Sequence, residues 1–217
     1  MIRLYIYDHC PYCVKARMIF GLKQIPVKLK SLLNDDEKTP VSMIGVKMVP
    51  ILEYKKGAFM PESLDIVSYI DKSKAPAQVN KKTSKNLSRW LDKNSLLCYK
   101  LAMPRWVHAD LEEFKTQKAK DYFINKKSAY IGSFENCLKE TEQLIQQMTK
   151  ELDTLESFFK KKQSFFTGVL SWDDFHLFAF LRSLSLVKSL TFPPKVKFYS
   201  ERMSQKSQVP LHHSIAL

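Results

Sequence analysis

Two cysteines lie where a strand pattern gives way to a helix pattern, and this placement constrains the fold more than any other feature of the sequence. Residues 2–7 are apolar and β-branched enough to form a buried strand, and after the cysteines apolar residues recur at helical spacing. Cys10 therefore lies at the turn between strand and helix. Pro11 suits the first helical position, where a missing N–H costs nothing. The sequence predicts Cys10 at the start of the first helix, with Cys13 one turn further along on the same face.

The predicted position of Cys10 favours its thiolate form. The first amides of a helix are unpaired and the N-terminus is the positive end of the helix dipole, so both stabilise a negative charge. An ordinary thiol is only about 3% ionised at pH 7, whereas a C-x-x-C motif at a helix start can lower the pKa to roughly 3.5–7.5. We therefore assign Cys10 as the attacking thiol and Cys13 as the resolving thiol, close enough to form a small disulfide with it.

A zinc site is the main alternative for the cysteine pair. Such a site needs a second pair of Cys or His ligands at similar spacing. Only Cys98 and Cys137 remain, far apart in sequence and in a region of helical periodicity. The pattern favours redox chemistry without a metal, and we expect Cys98 and Cys137 to be buried as small apolar side chains.

The chain is strongly basic, with 35 Lys and Arg against 22 Asp and Glu and a net charge of +13. Nucleic acid is the usual partner of such a charge. However, the lysines are spread along the chain in pairs and one triplet, Lys160 to Lys162, and no nucleic-acid motif accompanies them. The charge therefore does not favour nucleic-acid binding and instead predicts attraction of small anions and acidic proteins.

Length and cysteine usage indicate a protein of the reducing cytoplasm. A chain of 217 residues can bury a core without disulfides, and four cysteines are too few for a disulfide scaffold. No apolar run approaches the roughly 18 residues of a membrane span, and no signal-peptide pattern precedes the first strand. We expect a cytoplasmic monomer that does not bind membranes.

The first 72 residues predict an α/β arrangement. A second strand follows the first helix at 27–32, and a third strand at 47–54 includes Val49-Pro50. An ordinary trans proline at a strand edge and a cis proline opposite the thiol are both compatible with this position. A turn and a short strand then lead to a helix for which Ser63 is the predicted N-cap, and the free amides at that helix start would form a second anion site.

The rest of the chain predicts a linker and a helical region. Residues 73–84 contain almost nothing to bury, and beyond them the apolar spacing is helical throughout. One helix opens at Ser133 and continues to the lysine triplet, and the most apolar helix begins near Ser171 with a capping box to Asp174. The predicted organisation is a domain at 1–72, a linker at 73–84 and an all-helical domain at 85–217.

These features together resemble the glutaredoxins, in particular the larger bacterial kind with the two-domain architecture of glutathione transferases. The motif Cys10-Pro11-Tyr12-Cys13 is a specific signature of dithiol glutaredoxins. Three further segments carry the similarity, which is looser in the helical half: Met18-Ile19-Phe20-Gly21-Leu22-Lys23, Leu33-Asn34-Asp35-Asp36 and Met60-Pro61-Glu62-Ser63. The resemblance implies an α/β thioredoxin-like N-terminal domain, with a mixed sheet and flanking helices, followed by an all-α glutathione-transferase-like C-terminal domain.

The resemblance also implies a glutathione site, with glutathione as the reducing co-substrate. In the family the Val-Pro peptide is cis and the valine backbone pairs with the cysteinyl part of glutathione, a role that falls here on Val49 and Pro50. A Glu-Ser pair holds the γ-glutamyl end, which assigns that role to Glu62 and Ser63. Tyr12 would flank the glutathionyl group.

Two positions depart from ordinary glutaredoxins. Met48 stands where they have Thr, and Met60-Pro61 stands where they have Gly-Gly, both toward the transferase pattern.

We expect a thiol-disulfide oxidoreductase that reduces protein-glutathione mixed disulfides and protein disulfides through Cys10, with Pro11 supporting the thiolate and Cys13 resolving. Its partners would be glutathione and proteins that carry a glutathionyl group or a disulfide.

Three other functions are compatible with parts of the pattern. A glutathione transferase that conjugates glutathione to an electrophile would share the fold, but Cys13 would have no purpose in it. A non-enzymatic basic binding module would show steeply salt-dependent nucleic-acid binding and ordinary thiols. Glutaredoxins with an iron–sulfur role usually lack a proline at the position of Pro11.

Overall fold

The computed structural model describes all 217 residues, which form two compact units. The first unit contains residues 1–78, 110–123 and 206–209, and the second contains residues 79–109, 124–205 and 210–217. The predicted helical domain, 85–217, is therefore not one continuous unit, because two of its segments belong to the first unit. Those segments are held there in part by apolar burial: Phe114, Phe123 and Val209 are all buried.

A four-stranded mixed sheet forms the centre of the first unit. Its strands, in the spatial order β2-β1-β3-β4, are β1 (Arg3–Ile6), β2 (Lys28–Ser31), β3 (Ile51–Lys55) and β4 (Ala58–Met60). β1 is parallel to β2 and antiparallel to β3, and β3 is antiparallel to β4. Leu4 and Ile6 of β1 and Ile51 and Leu52 of β3 are buried because these two strands lie inside the sheet. The predicted thioredoxin-like mixed sheet is confirmed.

The strands are shorter than the sequence pattern predicts. β2 was expected at 27–32 and β3 at 47–54, whereas β3 begins at Ile51. Val49-Pro50 lies just before β3, because a proline has no N–H to donate to a strand ladder.

Three helices complete the first 78 residues: α1 (Pro11–Leu22), α2 (Lys38–Ile44) and α3 (Ser63–Ser73). α1 packs against α3, and Val14, Met18 and Ile19 of α1 are buried, as their helical spacing predicts. α2 ends at Gly45, whose φ of +78° is the left-handed conformation that favours glycine at a helix C-terminus.

The segment that contains Glu113 and Tyr122 is also fixed to the first unit by polar contacts. The backbone N–H of Asn34 donates to the carbonyl oxygen of Glu113 at 2.9 Å. The Tyr122 hydroxyl donates to Glu37 Oε1 at 2.6 Å, and the Lys47 ammonium lies 3.5 Å from the centre of the Tyr122 ring. Because the Lys47 side chain is only 16% exposed, this cation–π contact is not of the fully exposed kind, and such contacts contribute roughly 0.5–2 kcal/mol.

The segment at 206–209 packs closely on α1. A Cβ atom at Gly21 would lie 1.9 Å from the carbonyl oxygen of Ser207. A larger residue at position 21 would therefore displace this segment, and glycine is required here for close backbone approach.

The remaining helices are α4 (Lys85–Trp106), α5 (Gln117–Ile131), α6 (Phe134–Lys139), α7 (Thr141–Phe158), α8 (Trp172–Leu184) and α9 (Pro194–Ser207), with 3-10 turns at Glu112–Phe114 and His213–Ile215. The single helix predicted from Ser133 to the lysine triplet is two helices, α6 and α7. They are separated at Glu140, whose N–H donates to the carbonyl of Asn136 while its ψ of 6° leaves the α-helical range.

α8 begins with the capping box that the sequence predicts. The Asp174 carboxylate accepts hydrogen bonds from the backbone N–H of Ser171 at 2.8 Å and from its hydroxyl at 3.2 Å. It also accepts from the backbone N–H of Phe166 at 2.7 Å and from the Tyr199 hydroxyl at 3.1 Å. Asp174 therefore joins the start of α8 to the loop before it and to α9.

The segment predicted as a linker, 73–84, has specific contacts within each unit. Lys23 Nζ donates to the carbonyl of Pro76 at 2.6 Å, and the N–H of Gln78 donates to Asp71 at 2.9 Å. In the second unit Asn80 pairs with Ser171 as an isolated β-bridge. No helix of the chain has the length and hydropathy needed to span a membrane.

Candidate active site

The strand order brings the predicted site segments to one edge of the sheet. Cys10 follows the end of β1. Because β3 is antiparallel to β1, the Val49-Pro50 peptide that precedes β3 lies at the same edge. β4 is antiparallel to β3, so the chain returns to this edge with Glu62 and Ser63. The Val49-Pro50 peptide is cis, which confirms the isomer implied by the resemblance.

Cys10 occupies the N-cap of α1, and Pro11 is the first helical residue, as predicted. The side chain of Cys10 is partly exposed, and the pKa of its thiol is lowered to about 6. The largest cause is a hydrogen bond with the Cys13 side chain. Burial opposes it, whereas the charge of His9 and the backbone N–H groups of Cys13 and Tyr12 also lower the pKa. A thiol with this pKa is mostly thiolate at pH 7.

Cys13 differs from Cys10 in both exposure and ionisation. It has no exposed surface, and its sulfur accepts a hydrogen bond from the backbone N–H of Tyr7 at 3.4 Å. Burial, and then the neighbouring Cys10, raise the pKa of Cys13 well above its usual value. The pair therefore consists of one accessible thiolate and one buried thiol that donates to it.

The residue before Cys10 is part of a buried ion pair. His9 Nδ1 lies 2.7 Å from Glu113 Oε1, and the backbone N–H of His9 donates to the same oxygen at 2.9 Å. The imidazole stacks with Tyr7 at 5.7 Å and with Phe114 at 5.0 Å between ring centres, and Phe123 meets it edge-on at 5.3 Å. The ring is thus held from several sides.

Two further side chains of α1, Tyr12 and Lys15, contact each other in the turns that follow Cys10. Tyr12 is 55% exposed, and the Lys15 ammonium lies 4.8 Å from the centre of its ring. Burial lowers the pKa of Lys15 to about 8, and the negative charge of Cys10 acts in the opposite direction. Lys15 is therefore a second cation, besides His9, whose charge acts on the sulfur.

The start of α3 differs in detail from the prediction. Ser63 is the first helical residue, and Glu62 occupies the N-cap, so the assignment of Ser63 as N-cap is wrong. The reason is a sharp turn after β4 that puts Glu62 at φ +67°. A non-glycine residue in such a conformation costs roughly 1–3 kcal/mol and is found most often at functional sites. Glu62 is exposed and Ser63 is buried.

The other two cysteines belong to the second unit. Cys98 in α4 and Cys137 in α6 are buried, as predicted, and burial raises the pKa of both thiols. No group of three or more His, Cys, Asp and Glu side chains is arranged to hold a metal ion.

Sequence reasoning missed His9, Glu113 and Lys15. A cation directly before the reactive cysteine is a local signal that could have identified His9, and the helical position of Lys15 could have placed it near Cys10. Glu113 carries no such signal, because it lies 104 residues from His9 in sequence.

Comparison with family models finds two matches that together cover most of the chain. Residues 86–216 match the family described as "Glutaredoxin 2, C terminal domain". Residues 4–78 match the family described as "Glutathione S-transferase, N-terminal domain".

Individual proteins are similar over the whole length. Glutaredoxin 2 of Escherichia coli K12 is 43% identical over 216 residues, which is 100% of both chains. A crystal structure of Glutaredoxin 2 from Salmonella typhimurium, in complex with glutathione, is 44% identical with a TM-score of 0.95, covering 100% of this chain and 99% of that one. A glutathione transferase from Phanerochaete chrysosporium is 13% identical with a TM-score of 0.64 over 94% and 96% of the two chains, a likeness that concerns the fold alone.

Proposed function

The chain belongs to the glutaredoxin 2 family, and we propose on this premise that Cys10 is the attacking thiol of a glutathione-dependent thiol-disulfide oxidoreductase. Its substrates would be protein-glutathione mixed disulfides and protein disulfides, with glutathione as the reducing co-substrate. The observation that carries the proposal is the inequality of the two thiols. Cys10 is partly exposed with a pKa of about 6, and Cys13 is buried with a raised pKa.

This inequality supports the proposed order, in which Cys10 attacks first and Cys13 resolves. Thiolate is the nucleophile in disulfide exchange, and a thiol with a pKa near or below ambient pH attacks efficiently. With a pKa of about 6, Cys10 is about nine-tenths ionised at pH 7. Cys13 is protonated at that pH and lies where it can attack a mixed disulfide formed on Cys10.

Reduction of a glutathionylated protein needs Cys10 alone. The Cys10 thiolate attacks the glutathione sulfur of the mixed disulfide, and the protein thiolate leaves and takes up a proton. A second glutathione thiolate then attacks the Cys10–glutathione disulfide, which releases oxidised glutathione and restores the Cys10 thiolate. The net reaction consumes one free glutathione: the protein–glutathione disulfide and one glutathione thiol become a protein thiol and oxidised glutathione.

Reduction of a protein disulfide uses both cysteines. Cys10 attacks one sulfur, and one substrate thiolate leaves. Cys13 loses its proton and attacks Cys10 in the mixed disulfide, which releases the second substrate thiol and forms the Cys10–Cys13 disulfide. Two glutathione molecules then reduce this disulfide in turn.

Glutathione would bind along the edge of the sheet that carries Cys10. The backbone of Val49, beside cis-Pro50, would pair with its cysteinyl unit, and Glu62 and Ser63 would hold the γ-glutamyl end. The free amides at the start of α3 suit the α-carboxylate there. Tyr12 is exposed next to Cys10 and would flank the bound glutathionyl group.

The basic character of the chain is compatible with these partners. Glutathione carries two carboxylates, and a net charge of +13 attracts it and acidic protein substrates. We propose a cytoplasmic location, because glutathione-driven reduction requires a reducing compartment. A monomeric state is also part of the proposal.

Conjugation of glutathione to electrophiles is the alternative activity on this fold. Full-length identity to Glutaredoxin 2 favours the oxidoreductase over the transferase, because the transferase matches share 13–18% identity. A resolving thiol at Cys13 also has no purpose in conjugation.

The proposal is tested by a glutathione-coupled assay on a small glutathione mixed disulfide. Cys10→Ser should lower kcat/KM by at least about a thousandfold, because the nucleophile is lost. Cys13→Ser should retain activity within about tenfold on this substrate but lose activity on a protein disulfide. Cys137→Ser, which removes a buried thiol of the second unit, is the matched control. Activity that survives Cys10→Ser would refute the assignment.

A further inference from the structure

We propose that Glu113 is a positioning residue for Cys10, because it holds His9 so that the charge of the imidazole stays next to the thiolate. The inference rests on the proposed role of Cys10 as the attacking thiol and deepens the account of the same site. Neither Glu113 nor His9 belongs to the C-x-x-C motif or to the proposed glutathione contacts.

The contacts between the two residues fix both the ring and the backbone of His9. One oxygen of Glu113, Oε1, accepts from the His9 backbone N–H at 2.9 Å and faces ring Nδ1 at 2.7 Å. The backbone hydrogen bond sets the position of the residue that directly precedes Cys10. The contact at Nδ1 sets the orientation of its ring.

The ionised form of Glu113 depends on His9, because the carboxylate is buried. The residue has no exposed surface, and its second oxygen, Oε2, is buried without a hydrogen-bond partner. Burial alone would raise the pKa of Glu113, but the hydrogen bonds and charge of His9 outweigh burial and lower it. A buried carboxylate is stable only when it is compensated in this way.

A purely structural role explains this pair poorly. Two charges that are buried from water cost several kcal/mol each, and an apolar pair of similar volume is often equally or more stable. The charge of His9, in contrast, has a direct use, because it favours the thiolate form of the next residue. The pair is therefore better explained by what it does to Cys10 than by what it adds to the fold.

Other ionisable groups also face the two residues. Tyr7, which follows β1, stacks on His9, and burial raises its pKa, so that Tyr7 is neutral in the range of interest. Cys13 and Lys15 of α1 act on Cys10, and Lys15 is deprotonated near pH 8. Besides Cys13 and the neutral Tyr7, the ionisable side chains that interact electrostatically with the Cys10 sulfur are thus His9 and Lys15.

The test is the pH dependence of Cys10 alkylation in the full-length reduced protein, with iodoacetamide as the probe and peptide mass spectrometry to assign the site. In Glu113→Gln the amide oxygen can still accept from His9, but the negative charge is lost. The midpoint of Cys10 alkylation should rise by about one unit. At pH 6 the rate should fall about fivefold, while at pH 9 it should not fall.

Two further variants separate this role from a loss of stability. Glu113→Asp keeps the negative charge, so its Cys10 midpoint should rise by no more than about half of the rise seen in Glu113→Gln. A merely structural defect would not be rescued in this way. Glu53→Gln is the matched control, because Glu53 is also a buried, ion-paired glutamate of the first unit, bound to Arg3 at 2.9 Å. It should leave the Cys10 midpoint unchanged.

A double-mutant cycle tests whether Glu113 acts through His9. In a His9→Asn background, Glu113→Gln should no longer raise the Cys10 midpoint. The inference would be overturned if Glu113→Gln raised the Cys10 midpoint equally in both backgrounds, or if Glu113→Gln alone had the same midpoint as the wild-type protein. Either result would leave the proposed function intact. If Cys10 of the wild-type protein itself had a midpoint near that of free cysteine, the proposed function would be overturned as well.

Discussion

Glu113 in the first unit and Asp174 in the second are both carboxylates without exposed surface, but they are held in different ways. Glu113 Oε1 lies 2.7 Å from Nδ1 of His9, and although burial opposes it, the hydrogen bonds and charge of His9 lower the pKa of Glu113. Asp174 faces neutral donors, namely two backbone N–H groups and two hydroxyls.

The outcome of burial differs accordingly. Burial raises the pKa of Asp174 to about 6, and its hydrogen bonds only partly oppose this shift. The charged form of the buried carboxylate is therefore favoured at Glu113, beside His9, and disfavoured at Asp174, whose neutral donors join secondary-structure elements.

The largest effect is expected from Asp174→Ala. This change leaves the backbone N–H groups of Phe166 and Ser171 without their acceptor, at roughly 1–3 kcal/mol for each buried group. The Tyr199 hydroxyl loses one of its two acceptors and keeps the backbone carbonyl oxygen of residue 174. The free energy of unfolding should fall by about 4 kcal/mol, measured by urea denaturation. Cys10 alkylation in the remaining folded protein should keep its midpoint, and a shift would mean that the two carboxylates do not have separate roles.

The second prediction concerns the pH dependence of stability, which should have opposite signs for the two residues. The folded protein binds the Asp174 proton more tightly than the unfolded chain, whose Asp pKa is about 3.9. The free energy of unfolding should therefore fall by roughly 3 kcal/mol through this group as the pH rises from about 4 to about 6. The contribution of Glu113, whose pKa is lowered, is present above pH 4.5 and is lost as the pH falls.

The measurement compares wild type with Asp174→Asn and with Glu113→Gln at a series of pH values. The difference in unfolding free energy between wild type and Asp174→Asn should shrink as the pH rises from 4 to 6. The difference between wild type and Glu113→Gln should grow as the pH rises from 3 to 5. If both free-energy differences changed with pH in the same direction, Asp174 and Glu113 would not differ in how burial affects their ionisation.

A smaller effect is expected from Tyr199→Phe. The change deletes one donor to Asp174, at 3.1 Å, without opening a cavity. The free energy of unfolding should fall by about 1 kcal/mol at pH 7. The decrease should be smaller at pH 4, where Asp174 is protonated in the folded protein. An equal decrease at both pH values would show that the hydroxyl does not stabilise the carboxylate charge.

The smallest effect is expected from Glu151→Gln. Glu151 pairs with Lys93 at 2.6 Å, but the lysine side chain is 67% exposed. Exposed ion pairs typically add less than about 1 kcal/mol, so urea denaturation should show a change below this value. A loss as large as that for Asp174→Ala would mean that burial is not what distinguishes these carboxylates.

The two residues also differ in how far they could be predicted from sequence. Asp174 lies three positions after Ser171, and this local spacing is a capping signature. Cys10, Pro11 and Cys13 were likewise predictable, because strand, turn and helix patterns meet there. These features depend on residues that are close together in the sequence, so they can be recognised from one amino-acid sequence.

Features that depend on tertiary contacts were not predictable. The return of 110–123 to the first unit brings Glu113 to His9, and nothing in either local pattern indicates it. The left-handed backbone of Glu62, which displaces Ser63 from the N-cap, follows from the geometry of the turn after β4. The break between α6 and α7 at Glu140 is likewise a matter of backbone geometry that helical periodicity did not reveal.

Cys10 is expected to be a thiolate at neutral pH, and the decisive measurement is its alkylation rate as a function of pH. The reduced wild-type protein should react at Cys10 with a midpoint near pH 6. A midpoint near 8.5, the ordinary value for a cysteine, would contradict the account.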